Sequence, residues 1–357
     1  MTLHARLTDP DYHLYPWNPI KPLPYFFAVL LFLLGTFNLW QHFIKWKWSR
    51  FGFIMAWASS VWVAGFICLS ISQNMPESIN IYIAQYVLVL VGPPLYGAAE
   101  TFVLGRLMAY LPYHAPMHPG RVLTTFAILS AAVESLSAHG AAVAASAASP
   151  FNLSLLNNGL DFLNAALLLQ CIVESLFLFL NARLHMSLRK AGPLPRHVQT
   201  MIYVLYVTSS MVLVRGIYRA VQGFESKRCE NSDCGKVVNS QAMFWIFEVS
   251  NITLFVIALT IFTPGRYLPP TDRVFLDPTD RTTERLGPGF AKADRRLWLI
   301  TILDPFDILG KMKGKKTICD PFWDEPQPVY EGDARHYNER VAISEEVGLS
   351  NITETPK

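Results

Sequence analysis

Seven stretches of roughly twenty largely apolar residues dominate this chain, and a run of that length is what a helix needs to cross a hydrocarbon core. They lie approximately at Tyr25–Ile44, Phe51–Ser72, Ile79–Met108, Val122–Ser146, Leu155–Asn181, Val198–Gln222 and Met243–Thr263. Lipid offers no water to backbone N–H and C=O groups, so such runs close their hydrogen bonds internally as helices. The fold class that follows is an all-α integral membrane protein, a seven-transmembrane helix bundle. The third run is interrupted by Gly92-Pro93-Pro94 and is expected to kink or unwind there. The fourth, rich in Ala and Ser, suits close packing between other helices.

Mean hydropathy is only +0.27 because two regimes are averaged. Residues 25–265 form the membrane domain, 1–24 a polar, Pro-rich tail before it, and 266–357 a polar tail after it. The first tail has no short apolar core leading to a cleavage site, so the first span is expected to serve as its own insertion signal. In the second tail, Pro269-Pro270, Asp277-Pro278 and Gly287-Pro288 break any long helix, and the last thirty residues read as disordered. Residues 295–316 read either as a short interfacial segment, with Lys311, Lys313, Lys315 and Lys316 meeting anionic lipid, or as solvated tail.

Orientation is read from the short loops, because Lys and Arg concentrate on the cytoplasmic side. The first, third and fifth connections hold nine of them and the second, fourth and sixth hold three. The N-terminus is therefore expected outside and the C-terminus in the cytoplasm. Asn152-Leu153-Ser154 then becomes an external glycosylation acceptor at Asn152. Cys229 and Cys234 fall in an external loop, either as a disulfide or as two free thiols. Trp17, Trp40, Trp46, Trp48 and Tyr267 lie near span ends, where aromatic anchors gather.

Charges inside spans are costly and mark sites or structural ion pairs. Arg215, Arg219 and Gln222 share a face of the sixth span, and Glu248 and Asn251 share a face of the seventh. With Glu134 and His139 on the fourth, they form a candidate outer cluster. A candidate inner cluster comprises Glu100, Arg106, Gln170 and Glu174. Each cluster reads either as a substrate site or as salt bridges fixing helix register. Asn157, Asp161 and Asn164 are read as solvated at the outer end of the fifth helix.

Several classes of function drop out. A net charge of +3 without a basic, aromatic-interleaved stripe does not suit nucleic acid. No Walker loop, metal-ligand spacing or cofactor motif is present in the sequence, and the intramembrane His139 has no Ser, Cys or Asp partner at a usable spacing, so an enzyme is not expected.

The ordered motifs resemble those of the RTA-like fungal lipid-translocating exporters, the 7-aminocholesterol-resistance type. Gly92-Pro93-Pro94 leading through Ala98-Ala99 to Leu104-Gly105-Arg106 is similar to that family's third span. Arg215-Gly216-Ile217-Tyr218-Arg219, Phe247-Glu248 and Thr263-Pro264-Gly265-Arg266 resemble its sixth and seventh. The likeness covers about residues 15 to 270. Gln222 and Gln241 replace expected acids, and Glu134 and His139 stand where Asp and Gln are common. The resemblance implies a plasma-membrane or endomembrane (ER or vacuole) protein that exports sphingoid long-chain bases and protects against toxic amphiphiles. Membrane lipids and an amphiphilic small molecule are the implied partners, with Tyr218 added to the site. A seven-helix receptor or stress sensor fits the same topology.

Overall fold

A computed structural model describes residues 20–75, 79–146, 152–228, 235–289, 300, 304, 306–314 and 321–330. Seven helices in it are long and apolar enough to cross a membrane. We label them α1 (Pro22–Lys45, its last turn a π-helix), α2 (Ser49–Asn74), α3 (Ile79–Tyr110), α4 (Pro119–Ser146), α5 (Leu153–Lys190), α6 (Arg196–Arg228) and α7 (Gln241–Tyr267). The chain is thus a multi-pass membrane protein. Each helix packs mainly on its neighbours in sequence, α7 returns to α1, and α3 meets α6 across the middle. The end bearing the first, third and fifth connections is called here the odd-loop end, and the opposite one the even-loop end.

Exposure is inverted relative to a water-soluble protein. Phe32, Leu33, Phe53, Ile172, Val207 and Leu254 face outward, while Asn38, His42, Glu100, Asn181, Arg215 and Glu248 are buried. Lipid-facing apolar side chains lose nothing in hydrocarbon, whereas polar ones must find partners between helices.

Small residues set the closest approaches. Gly92 on α3 lies under the Trp62 indole of α2, and a Cβ there would sit 1.8 Å from the ring. Helix α3 nevertheless runs on through Pro93 and Pro94 without unwinding. Gly140 and Gly159 let α4 and α5 touch backbone to backbone, since a Cβ at Gly159 would lie 2.5 Å from the Ala144 nitrogen.

Helices α5 and α6 extend past their apolar cores. Arg183, Arg189 and Lys190, counted above as loop, belong to α5, which ends where Gly192 takes φ +124° ahead of Pro193. Good helix formers have no reason to stop at the edge of an apolar run.

The start of the second tail is folded, which the Pro and Gly pattern did not reveal. Strands β1 (Val274–Leu276) and β2 (Glu284–Leu286) pair antiparallel, Val274 opposite Leu286. β1 is wholly buried against α3, and residues 328–330 add a third edge through Leu286 N–H to the Pro328 carbonyl and Tyr330 N–H to Glu284. Glu284 accepts from the Tyr110 hydroxyl at 2.9 Å, beneath the bundle. Arg281 donates to the carbonyls of Ala191 and Pro193, tying the hairpin to the fifth connection. Asp277 pairs with Arg285 across the hairpin. Half of 295–316, all of 331–357 and Trp17 lie outside the described residues.

Two further readings are corrected, on the aromatic anchors and on Asn164. Trp46, Trp48 and Tyr267 are buried rather than lipid-facing, while Trp40 is half exposed. Asn164 is buried against α6, its amide 3.5 Å from the Gly223 carbonyl, because the missing side chain at Gly223 admits it. Asp161 is exposed but paired with Lys227.

Candidate functional site

The sixth and seventh helices meet through an ion triad. Arg215 and Arg219 are one turn apart on α6, so both guanidiniums point the same way. Facing them, Phe244–Ser250 of α7 is a π-helical segment, which widens the turn and carries Glu248. Glu248 Oε1 accepts from Arg215 Nε at 2.9 Å, and Oε2 from Arg219 Nε at 2.8 Å. All three are at least 95% buried. One carboxylate thus holds two guanidiniums, and the triad carries a formal charge of +1.

Aromatic rings and amides position it. The Arg219 guanidinium lies 5.9 Å from the Tyr86 ring of α3 and 5.7 Å from Phe244, and its Nη1 donates to Gln222 at 2.9 Å. Tyr218 stacks on Phe247, with centroids 5.7 Å apart. Trp245 stacks on Phe27 of α1 and Phe66 of α2, fixing the π segment from its other side. Asn251 donates to the Met211 carbonyl at 2.9 Å. Arg215 Nη1 and the Tyr218 hydroxyl are buried without a hydrogen-bond partner among the described residues.

The residues expected to complete this group lie elsewhere. His139 faces outward, its ring 4.7 Å from that of Phe162. Glu134 is half-buried with no hydrogen bond or ion pair among the described residues. Both are on α4, which packs on α3 and α5 and leaves the arginines to α7.

The expected inner cluster divides. Glu100 and Glu174 are buried close enough to repel one another, and Glu174 is also within electrostatic reach of Arg215. Glu174 therefore links the two clusters that separate spacing rules kept apart. Glu174 and Gln170 line a cavity of about 20 Å³ with Thr101 and Ser130, room for a water molecule. Neither oxygen of Glu100 is in hydrogen-bond geometry among the described residues, and the Thr208 hydroxyl near it donates to the Val204 carbonyl at 2.9 Å. Arg106 is not part of this group; it lies at the odd-loop end over the Trp48 ring.

Sequence reasoning missed a polar seam between α1 and α7. Asn38 donates to Thr260 at 2.7 Å, and His42, a second intramembrane histidine, is 2.7 Å from the Thr263 hydroxyl. Asn38 and His42 at helical spacing opposite Thr260 and Thr263 were the available signal. Asn152 is exposed and caps α5, its Oδ1 accepting from Leu155 N–H. Cys229 and Cys234 lie outside the described residues.

Fold and site together define a seven-helix membrane protein whose sixth and seventh helices are joined by a buried Arg-Glu-Arg triad. The family described as RTA1 like protein matches residues 53–271, well over half of the chain, and this protein belongs to that family. It is 28% identical over 303 residues to a protein of Leptosphaeria maculans named lipid-translocating exporter-like protein RTA1, covering 80% of this chain and 57% of that one. A like-named protein of Ajellomyces capsulatus is 28% identical over 254 residues, covering 68% of this chain and 77% of its own. Protein RTM1 of Saccharomyces cerevisiae is 24% identical over 211 residues, covering 57% and 63%. The chain thus spans little more than half the length of the first relative. No solved structure matches.

Proposed function

We propose that this protein translocates lipids or related amphiphiles, with the polar headgroup passing the Arg215–Glu248–Arg219 triad while the hydrocarbon tail stays in the bilayer. The observation that carries the reading is a set of three charged side chains buried wholly within a membrane domain, one guanidinium nitrogen of which is left unpartnered. The triad holds one more cation than anion, and that surplus positive charge gives it capacity for an anionic or zwitterionic group. The names of the Leptosphaeria and Ajellomyces relatives support the same class.

For an amine-bearing substrate such as a sphingoid long-chain base, Glu248 is already committed to two arginines. The partner of the amine is then Glu174, which lines the adjoining cavity, with Glu100 behind it. The Lys and Arg asymmetry of the loops supports an orientation with the odd-loop end, and with it the C-terminal tail, in the cytoplasm. That arrangement leaves Asn152 outside as a glycosylation acceptor, and we place the protein in the plasma membrane.

The test is leaflet exchange in reconstituted vesicles. Purified protein is expected to accelerate movement of a labelled sphingoid base between leaflets, and Glu174→Gln to abolish the acceleration at unchanged protein content. No acceleration under any imposed gradient favours the second reading, a lipid or stress sensor. That alternative draws on the hairpin, which couples the tail to α3 and α5 through Glu284 and Arg281.

A further inference from the structure

A second set of cations converges at the odd-loop end, far from the triad along α3. There a cavity of about 710 Å³ opens between the start of α2, the end of α3, the start of α4 and the segment after α7. Lys47, Arg50 and Arg106 line it, against a single acid, Asp272. Arg106 is nine-tenths buried and held from three sides: its Nη2 donates to the Pro269 carbonyl at 3.0 Å, Asp272 is 3.9 Å away, and its guanidinium lies 5.1 Å from the Trp48 ring. Arg50 is exposed, has no acidic partner among the described residues, and lies close enough to Arg106 to repel it. Two guanidiniums facing one opening are unfavourable together until an anion stands between them.

The backbone adds to this field. The first turns of α2 and α4, helices of 26 and 28 residues, both line the opening, and no side chain caps α2. At α2 the uncapped first-turn N–H groups favour an anion, as does the positive dipole end of each helix, although at α4 the Gly120 N–H is already taken by His118 Nδ1.

What distinguishes a lipid from a soluble anion here is the wall below the cations. Leu95, Ala98 and Phe102 precede Gly105 and Arg106 on α3 at three- and four-residue spacing, so they continue the cavity along one helix face. All three are half-buried, on a helix flanked by α2 and α4. Leu123 of α4 lines the cavity and is exposed, and on α2 the exposed, stacked Phe53 and Trp57 follow Arg50 at three- and four-residue spacing, on the same helix face. Charge at the end of the span and an apolar stripe running from it toward mid-bilayer match the two ends of one amphiphile.

We propose that this cavity binds the phosphate group of an anionic phospholipid, with an acyl chain along the α3 stripe between α2 and α4. The site is independent of translocation and holds for a transporter or a sensor alike. It gives the odd-loop end a lipid contact chosen by headgroup charge.

The full chain in phosphatidylcholine nanodiscs doped with phosphatidic acid provides the test, read by native mass spectrometry of the lipids that stay bound. Retained lipid is expected to be enriched in phosphatidic acid by roughly tenfold or more over its share of the disc. Arg50 and Lys47 are exposed, and the double variant Lys47→Gln/Arg50→Gln is expected to lose at least tenfold of that preference, since a juxtamembrane cation is worth about fivefold each. Arg50→Lys should restore most of it. Equal retention of the two lipids, or an unchanged preference in the double variant, would overturn the site. Displacement of the lipid by inorganic phosphate at matched concentration would overturn the lipid assignment in favour of a soluble anion.

Discussion

The two ends of this bundle satisfy charge in opposite ways. Between α6 and α7, the Arg215–Glu248–Arg219 triad has only side chains to rely on, because every helical backbone group there is already spent within its own helix. At the odd-loop end, Arg106, Asp277, Asp280 and Arg281 are satisfied largely by backbone groups of loops and a hairpin. The difference teaches where sequence change is tolerated. A charge held by other side chains fails with any one partner, whereas a charge held by backbone depends on local conformation.

The largest expected effect therefore lies in the triad. Glu248→Gln strands two guanidiniums in a desolvated site, and loss of one partner of a buried ionic network costs roughly 3–5 kcal/mol. Thermal unfolding of purified protein in detergent should report a steep loss of stability; a melting temperature within error of the parent would break the comparison.

A smaller effect is expected from acid. Burial pushes the Asp277 carboxyl up, but Thr279 and Arg285 outweigh it and hold the group below the usual Asp value of 3.8; the Thr282 and Thr283 N–H groups and the Thr283 hydroxyl do the same for Asp280. A depressed carboxyl stabilises the fold above its unfolded value and loses that contribution as pH falls through the folded one. The hairpin should therefore stay seated down to about pH 4 and loosen below it, measurable as faster amide exchange over residues 274–286. Asp277→Asn should shrink that acid step to the part supplied by Asp280, and an undiminished step in the variant would remove Asp277 from the account.

The smallest effect is reserved for Asp161 and Lys227, an ion pair open to solvent at the even-loop end. Exposed pairs contribute about 0–1 kcal/mol, so Asp161→Asn should leave the melting temperature nearly unchanged. A large drop would show that this region is less hydrated than its exposure indicates.

Most of the frame is legible in the residues, because a hydrocarbon solvent makes run length a direct report of helix count. All seven spans coincide with helices, and Arg215, Arg219, Glu248 and Asn251 fall on facing surfaces as helical spacing requires. Spacing within one helix does not say which other helix it faces, so depth along the spans alone groups Glu134 and His139 with the arginines and gives no sign of the link through Glu174. The π turn at Phe244–Ser250 also escaped, since nothing in the residues of that segment distinguishes it from α-helix. The hairpin was hidden for another reason: three-residue strands between Pro and Gly residues read as loop, and their burial comes from the end of α3, remote in sequence. Trp46 and Trp48 look like interface anchors by position, but Gly265 leaves room beside α7 that Trp46 fills.

The most direct measurement is a double-mutant cycle on Arg219 and Glu248. Arg219→Gln, Glu248→Gln and the double variant would be compared with the parent by unfolding in one detergent. Because both side chains are buried and bonded to each other, the double variant should be more stable than the sum of the single losses predicts, with a coupling of about 2 kcal/mol or more. Additive losses would mean that these two charges do not feel one another, and the triad would no longer stand as the polar centre of the bundle.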